Sequence, residues 1–118
     1  MGLLDANALA QLLAAGERNH NVIANNLANL DTPGYRTARV RFARELASLL
    51  DEDQNLRPGA RIQVETYHPM YRALSKTGND VQLERETVEL TKNTLRMKIY
   101  FQAVGARISK LRLAIGGR

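Results

Sequence analysis

The side chains that could support catalysis or bind a metal are few and scattered in this 118-residue chain. The two histidines, His20 and His68, are far apart, and because the chain has no cysteine, no metal-ligand spacing is present. The three serines lie outside any G-x-S-x-G motif, and the eight glycines form neither a P-loop nor a G-x-G-x-x-G pattern. The sequence therefore predicts a protein that is not an enzyme, with no cofactor and no metal site.

Charged residues follow a gradient along the C-terminal third of the chain. Glu84, Glu86 and Glu89 come first, and seven cations with no acidic residue follow them. This order complements the dipole of a helix, which favours acidic residues near its start and basic residues near its end. A basic helix can also follow a phosphate backbone, but these cations are spread around the helix and the nearby rings are Tyr100 and Phe101. We expect no nucleic-acid partner and keep a small basic nucleic-acid binder as the alternative.

The most unusual polar pattern is a run of five asparagines within residues 19–35, where Asp31 is the only charged residue. Five asparagines disfavour a helix by roughly 2–3 kcal/mol relative to alanine. Asn21, Asn25 and Asn29 share one helix face at i, i+4 spacing. Uncharged amides suit a buried interface because they donate and accept hydrogen bonds without the desolvation cost of an ion. In the alternative interpretation, Asn29 caps the helix end and the other amides face water.

Composition and the N-terminal residues exclude several classes of protein. Aromatic residues make up 5% of the chain and tryptophan is absent, so any core consists of aliphatic side chains. No apolar run approaches the roughly 18 residues of a membrane span, and no direct membrane insertion is expected. The first cation, Arg18, follows the N-terminal apolar stretch instead of preceding it, unlike a secretory signal. Any export is therefore expected to proceed without a cleaved signal peptide.

Apolar residues at alternating steps of three and four predict two long helices, over residues 3–30 and 80–115. Asn79 and Gln82 resemble a capping box at the start of the second helix. Two narrow stripes of this kind are expected to pair with each other as in a coiled coil. The predicted intramolecular seam consists of Leu13, Ile23, Leu30, Leu90, Met97, Phe101, Val104, Ile108, Leu111 and Ile115.

A second apolar stripe lies on another face of the C-terminal helix, where Val81, Val88 and Leu95 recur every seven residues. This stripe needs a partner outside the helix pair, so the isolated monomer is expected to be marginally stable and to associate. The predicted subunit interface consists of Asn25, Asn26, Leu27, Asn29, Val81, Val88 and Leu95.

The middle of the chain has weaker patterns. An amphipathic helix is predicted over residues 40–50, a polar loop over 51–60, and a short strand over 61–67 that Pro69 ends. The predicted fold is mostly α, with paired N- and C-terminal long helices, a short middle helix and an irregular, partly β middle segment. The paired-helix inner domain comprises residues 1–34 and 78–118, and the flexible middle region comprises residues 35–77.

The segment from Asn25 to Tyr35, Asn-Asn-Leu-Ala-Asn-Leu-Asp-Thr-Pro-Gly-Tyr, resembles the N-terminal signature of the bacterial flagellar rod, hook and hook-associated axial proteins. The C-terminal segments at 78–86 and 111–115 are similar to those of the proximal rod members, with a sibling short proximal rod protein as the second assignment. Arg41 and Gln82 depart from the residues that are common in this family, and both departures concern contacts with neighbouring subunits.

The resemblance implies a structural subunit of the basal-body rod in the periplasm, which is required for motility. It implies that the terminal helices form the inner coiled-coil domain and that the partners are other rod proteins and further copies of this chain. It also implies export through the flagellar type III apparatus, whose gate recognises a Phe-x-x-x-apolar motif that Phe42 and Leu46 fit. A coiled-coil secretion adaptor that stays in the cytoplasm is a further alternative.

Overall fold

A computed structural model describes residues 6–41, 61–73 and 75–116 of the chain. Helix α1 spans Ala6–Ala28, strands β1 and β2 span Arg39–Arg41 and Glu65–Tyr67, and helix α2 spans Leu83–Ala114. The expected mostly α fold, with two long terminal helices and a partly β middle segment, is confirmed. The helix predicted over 40–50 is wrong at its start, because Val40 and Arg41 lie in strand β1. Residues 42–50 lie outside the described ranges.

The two helices lie side by side and run antiparallel. Asn19 of α1 bonds Asn93 of α2, and Asn26, further along α1, bonds Glu86, nearer the start of α2. The helices approach closely at Gly16, where an added Cβ would lie 2.1 Å from the sulfur of Met97. The apolar core at this contact comes chiefly from α1, and its buried members there are Ala8, Leu9, Leu12, Ala15 and Ile23.

Helix α1 ends where a turn begins at Asn29, and Gly34 adopts a positive φ of 75°, a conformation that glycine accepts without strain. The side chain of Asn79 holds this exit from across the fold. Its Nδ2 group lies 2.8–3.1 Å from three backbone carbonyls that follow α1, those of Asn29, Leu30 and Thr32. The chain therefore returns from the middle segment to the point at which it left α1.

Helix α2 begins at Leu83, three residues later than predicted, and the expected capping box is absent. Gln82 is the N-cap residue and makes no side-chain cap bond. Asn79 instead accepts a bond of 2.7 Å from the N–H of Val81, while its amide group serves the exit of α1. The prediction was wrong because the side chain of Asn79 is bound to the turn after α1 and to Val81, and α2 begins four residues after it.

Strands β1 and β2 form an antiparallel pair in which Arg39 lies opposite Tyr67 and Arg41 lies opposite Glu65. The observed strand β2 is the last part of the strand predicted over 61–67. Part of the region expected to be flexible packs against the helices, since Thr37, Ala38 and Arg39 are buried. The hydrogen bonds that hold these residues come from side chains of α1 and from the residues around the start of α2.

Candidate assembly surface

A row of apolar side chains lies exposed along α2. Val88, Leu95 and Ile99 are 52%, 57% and 61% exposed, and their spacing of seven and four residues places them on one face of the helix. Val81, which precedes this row, is half-buried. The structure thus leaves Val88 and Leu95 of the second predicted stripe uncovered by the described residues.

The C-terminal part of α2 is also exposed, which corrects the predicted seam. Phe101, Ile108, Leu111 and Ile115 are exposed and are not buried by α1. Helix α2 has 32 residues and α1 has 23, so α2 is about 14 Å longer at a rise of about 1.5 Å per residue. Ile108, Leu111 and Ile115 lie in this overhang, beyond the level of Ala6 in the register described above.

Phe101 lies within the span of α1 but on its flank. Together with Thr94, Met97, Lys98 and Gln102 it lines an open groove of about 530 Å³ on the surface of α2. The ring therefore extends the exposed apolar surface and does not fill the space between the helices.

The remaining members of the predicted seam lie closer to α1. Ile23 is buried, and five others are half-buried: Leu13, Leu30, Leu90, Met97 and Val104. His20, which lies seven residues after Leu13 and three before Ile23 and so falls on the seam by spacing, is exposed. The buried positions of α1 from Leu12 onward include Asn19 in place of His20, because the amide of Asn19 pairs with α2.

The buried side of α2 is polar. Over residues 83–114, all of which the structure describes, the buried side chains are those of Glu86 and Asn93. Asn93 accepts a bond of 2.9 Å from Nδ2 of Asn19 and donates a bond of 2.9 Å to the carbonyl of Gly16. The hydrophobic residues of α2 are thus half-buried or exposed, while its fully buried contacts are hydrogen bonds.

Asn26 is the junction of α1, α2 and the strand pair. It is fully buried, its Nδ2 donates to the carbonyl of Ala38 (2.9 Å) and to Oε1 of Glu86 (2.7 Å), and its Oδ1 accepts from the N–H of Ala38 and the hydroxyl of Tyr35, both at 3.0 Å. All four hydrogen-bonding positions of the amide are used within the chain. The prediction that Asn26 lies in a subunit interface is therefore wrong.

Glu86 also binds the guanidinium of Arg39 through two bonds, Nη1 to Oε1 at 2.8 Å and Nη2 to Oε2 at 2.5 Å. Burial alone would lower the pKa of Arg39, but the hydrogen bonds to Glu86 and Tyr71 and their charges outweigh it and raise that pKa above its ordinary value. Such a bidentate contact fixes orientation as well as distance. Strand β1 is thereby anchored to α2 in a single geometry.

Asp80 ties the segment before β1 to the segment before α2. Its Oδ1 accepts bonds from the N–H and the hydroxyl of Thr37 at 2.6 and 2.8 Å, and Nη1 of Arg36 lies 3.5 Å from Oδ2. Burial would raise the pKa of Asp80, but the bonds from Thr37 and the charge of Arg36 outweigh it and hold that pKa below its usual value. The carboxylate is therefore kept ionised in a buried position.

The other predicted interface residues lie at the exit of α1. Asn25 is exposed and donates to the Tyr35 hydroxyl at 3.0 Å. Asn29 is half-buried, donates to the carbonyl of Asn25 at 2.8 Å and accepts from the hydroxyl of Thr32 at 3.0 Å. Leu27 is half-buried. The amide of Asn29 therefore closes the C-terminal turn of α1, as in the alternative interpretation of the asparagine run.

Apolar spacing does not predict the hydrogen-bonded junction, because the side chains that form it are polar. A signal for it exists in the sequence. Asn19 and Asn26 are seven residues apart, and so are Glu86 and Asn93. Polar residues at one matched heptad spacing in both helices indicate two polar contacts in one antiparallel pair.

Two general features of the described residues bear on function. In residues 6–41, 61–73 and 75–116, no three His, Cys, Asp or Glu side chains are grouped so that they could hold a metal ion. Across those same residues, neither helix combines the length and the apolar character needed to cross a bilayer.

Residues 6–36, which comprise α1 and its exit turn, match the model of a family described as flagella basal body rod protein. The chain is 32% identical over 119 residues to the flagellar basal body rod protein FlgB of Cereibacter sphaeroides, with 92% of this chain and 91% of the relative covered. It is 23% identical to FlgB of Bacillus subtilis over 92% and 91% of the two chains, and 24% identical to FlgB of Salmonella typhimurium over 81% of each. Among the rod proteins, the chain belongs to the FlgB family.

Proposed function

We propose that this chain is a structural subunit of the bacterial flagellar basal body, and that it forms the proximal rod by stacking helically with copies of itself and with neighbouring axial proteins. Membership in the FlgB family supports the basal-body role and a requirement for motility. The observation that carries the stacking mechanism is the row of large apolar side chains that α2 exposes, Val88, Leu95 and Ile99, while its fully buried side chains, Glu86 and Asn93, are polar.

The exposed row on α2 supplies the energy for association. Burying a Val or Leu side chain contributes about 1.5–3 kcal/mol, and Val88, Leu95 and Ile99 each expose more than half of their surface. Large apolar side chains exposed along one face of a helix are typical of an interaction surface. A neighbouring subunit that covers this row therefore gains several favourable contacts along one helix.

The C-terminal overhang of α2 gives the contact a direction. Ile108, Leu111 and Ile115 recur at helical spacing where no described residue of α1 lies opposite. Such a face can bind a groove on a second subunit through its apolar side. An overhang that enters a different surface on the next molecule makes a heterologous contact, which builds an open helical array.

The strand pair follows the helices because of the polar junction. Asn26, Glu86 and Arg39 connect β1 to both helices through short hydrogen bonds. The strand pair is consequently held at a fixed place beside the helix pair. The helix pair and the strand pair of one subunit then enter the rod together.

We further propose that the flagellar type III apparatus exports the chain and that its gate contacts Phe42 and Leu46. The resemblance supports this role, and both residues lie outside the described ranges. Replacing Phe42 by alanine is expected to lower secretion of the chain, whereas unchanged secretion would contradict the role of this residue.

The stacking mechanism is tested by making the exposed row polar. In cells that lack the native gene, the variant Val88→Ser/Leu95→Ser is expected to be secreted normally but to form no rods and to restore no motility. Rods are counted by electron microscopy of purified basal bodies, and circular dichroism checks that helix content is unchanged. The matched control is Arg96→Gln/Lys98→Gln, two exposed positions of the same helix that are not apolar. Normal rods in the Val88→Ser/Leu95→Ser cells would contradict the mechanism.

A further inference from the structure

Two buried polar contacts connect α1 with α2. The first joins Asn19 to Asn93, whose amide also binds the carbonyl of Gly16, and the second joins Asn26 to Glu86. Both contacts lie in the same antiparallel register, and they are seven residues apart on each helix. We call them the two polar rungs of the helix pair.

The apolar contacts of this pair do not define the register by themselves. A stripe that repeats every seven residues presents a similar surface after one helix slides by seven residues along the other, a shift of about 10 Å. The exposed apolar row of α2 adds a further surface on which another helix can lie. Apart from the contact of Met97 with Gly16, hydrophobic burial therefore favours several alignments to a similar extent.

The polar rungs distinguish these alignments. If α2 slides by seven residues in one direction, Asn26 lies opposite Asn93, and Glu86 loses its partner on α1. If it slides the other way, Asn19 lies opposite Glu86, and Asn93 loses its partner on α1. Each slip leaves two polar side chains, one on each helix, without their bond to the other helix, and each such buried group costs about 1–3 kcal/mol.

We propose that the two polar rungs determine the register in which α1 and α2 pair, and that they do so in place of a stronger hydrophobic contact. Buried polar groups at core positions set the register of coiled coils in the same way, at a cost in stability. In this chain the rungs determine which residues of the two helices lie opposite each other, and therefore the length of the overhang. The inference concerns the single chain and does not depend on rod assembly.

The register is measured with cysteine pairs, which is straightforward because the chain has no native cysteine. His20 and Thr94 are exposed and line the same small cavity beside Asn93, so His20→Cys/Thr94→Cys reports the native register. His20→Cys/Thr87→Cys and His20→Cys/Phe101→Cys report slips of seven residues in the two directions, again at exposed positions. Dibromobimane bridges neighbouring thiols and becomes fluorescent when it does, and dilute protein excludes links between molecules.

The reporters are read in the native chain and in Asn19→Leu/Asn93→Leu, which removes both partners of one rung. The native chain is expected to give bridged product with the Thr94 reporter and little with the two slip reporters. In the double variant, the ratio of native to slipped product is expected to fall roughly tenfold, while the thermal midpoint stays the same or rises. The matched control Asn21→Leu/Thr91→Leu places the same apolar side chain on exposed positions of both helices and is expected to leave the ratio unchanged.

Three results would overturn the proposal. One is an unchanged product ratio in the double variant, which would mean that apolar packing alone sets the register. Another is a double variant that loses its helix content, which would give the rung a role in stability instead of register. The third is a native chain that reacts equally with all three reporters. A failure of rod assembly in cells changes none of these readouts, so the proposed function and this inference fail separately.

Discussion

The two sides of α2 differ in the opposite sense to an ordinary surface helix. The side that faces α1 buries Glu86 and Asn93, and the side that faces away exposes Val88, Leu95 and Ile99. A helix in a self-sufficient globular protein normally turns its apolar residues inward. Within the chain, α2 is held by hydrogen bonds of its two buried side chains and by half-buried Leu90, Met97 and Val104, while a separate apolar row stays exposed.

The largest loss of stability is expected from removing Glu86, the buried acid that binds both Asn26 and Arg39. Glu86→Ala leaves the buried guanidinium of Arg39 without its partner and removes a bond from Asn26. The free energy of unfolding is expected to fall by about 3–5 kcal/mol, since one charge of a buried pair remains unpaired. Urea unfolding followed by circular dichroism measures the change.

Two further variants separate charge from shape in that experiment. Glu86→Gln keeps a hydrogen-bonding group of the same size and is expected to lose less stability than Glu86→Ala. Glu84→Ala removes an exposed carboxylate two residues away and is expected to change stability by less than about 0.5 kcal/mol. Equal, small effects at positions 84 and 86 would show that the junction does not stabilise the fold.

The sequence predicts the parts of this fold that follow from repeating patterns. The two long helices and a strand ending at Tyr67 follow from apolar spacing and turn residues. The buried face was harder to predict because Asn19, and not His20, turns toward α2. The position of a polar side chain depends on the partner it meets, and that partner lies more than 70 residues away.

The same limit explains the outcome for the asparagine run. The five asparagines predict a buried interface, because uncharged amides can be buried without the desolvation cost of an ion. The structure places the amide of Asn26 in contacts within the chain and uses Asn29 to close the turn after α1. Apolar periodicity gives the faces of a helix, but it does not tell which buried amide binds a segment of its own chain.

A smaller loss of stability is expected when the buried carboxylate of Asp80 is replaced by an amide, which does not titrate. Because its pKa in the folded chain lies below the value of about 3.9 in an unfolded chain, Asp80 contributes stability above pH 4. That contribution is lost as the pH falls through the lower folded pKa. Asp80→Asn is therefore expected to lower stability at pH 7 by about 1.5–2 kcal/mol and to narrow its difference from the native chain below pH 4.

Unfolding in urea at several pH values between 2 and 7 measures this difference. Subtracting the variant from the native chain cancels the carboxylates that both proteins share. A gap between the two proteins that stays constant over the whole range would mean that the bonds from Thr37 do not depend on the charge of Asp80.

The smallest effects on stability are expected at two helix glycines, Gly16 at the α1–α2 contact and Gly105 on the exposed surface of α2. Gly16→Ala places a Cβ 2.1 Å from the sulfur of Met97 at the α1–α2 contact. A Cβ added at Gly105 on α2 would meet no atom within 4 Å outside its own stretch of helix. Alanine favours a helix over glycine by about 1 kcal/mol. Gly105→Ala is therefore expected to stabilise the isolated chain by about 1 kcal/mol, and Gly16→Ala to destabilise it by a similar amount, since Met97 must move. Thermal unfolding measures both changes.

If Gly105→Ala stabilises the chain and yet prevents rod formation in cells, the exposed face at Gly105 is in close contact with a neighbouring subunit. If it supports normal rods, the assembly surface is confined to the other faces of α2.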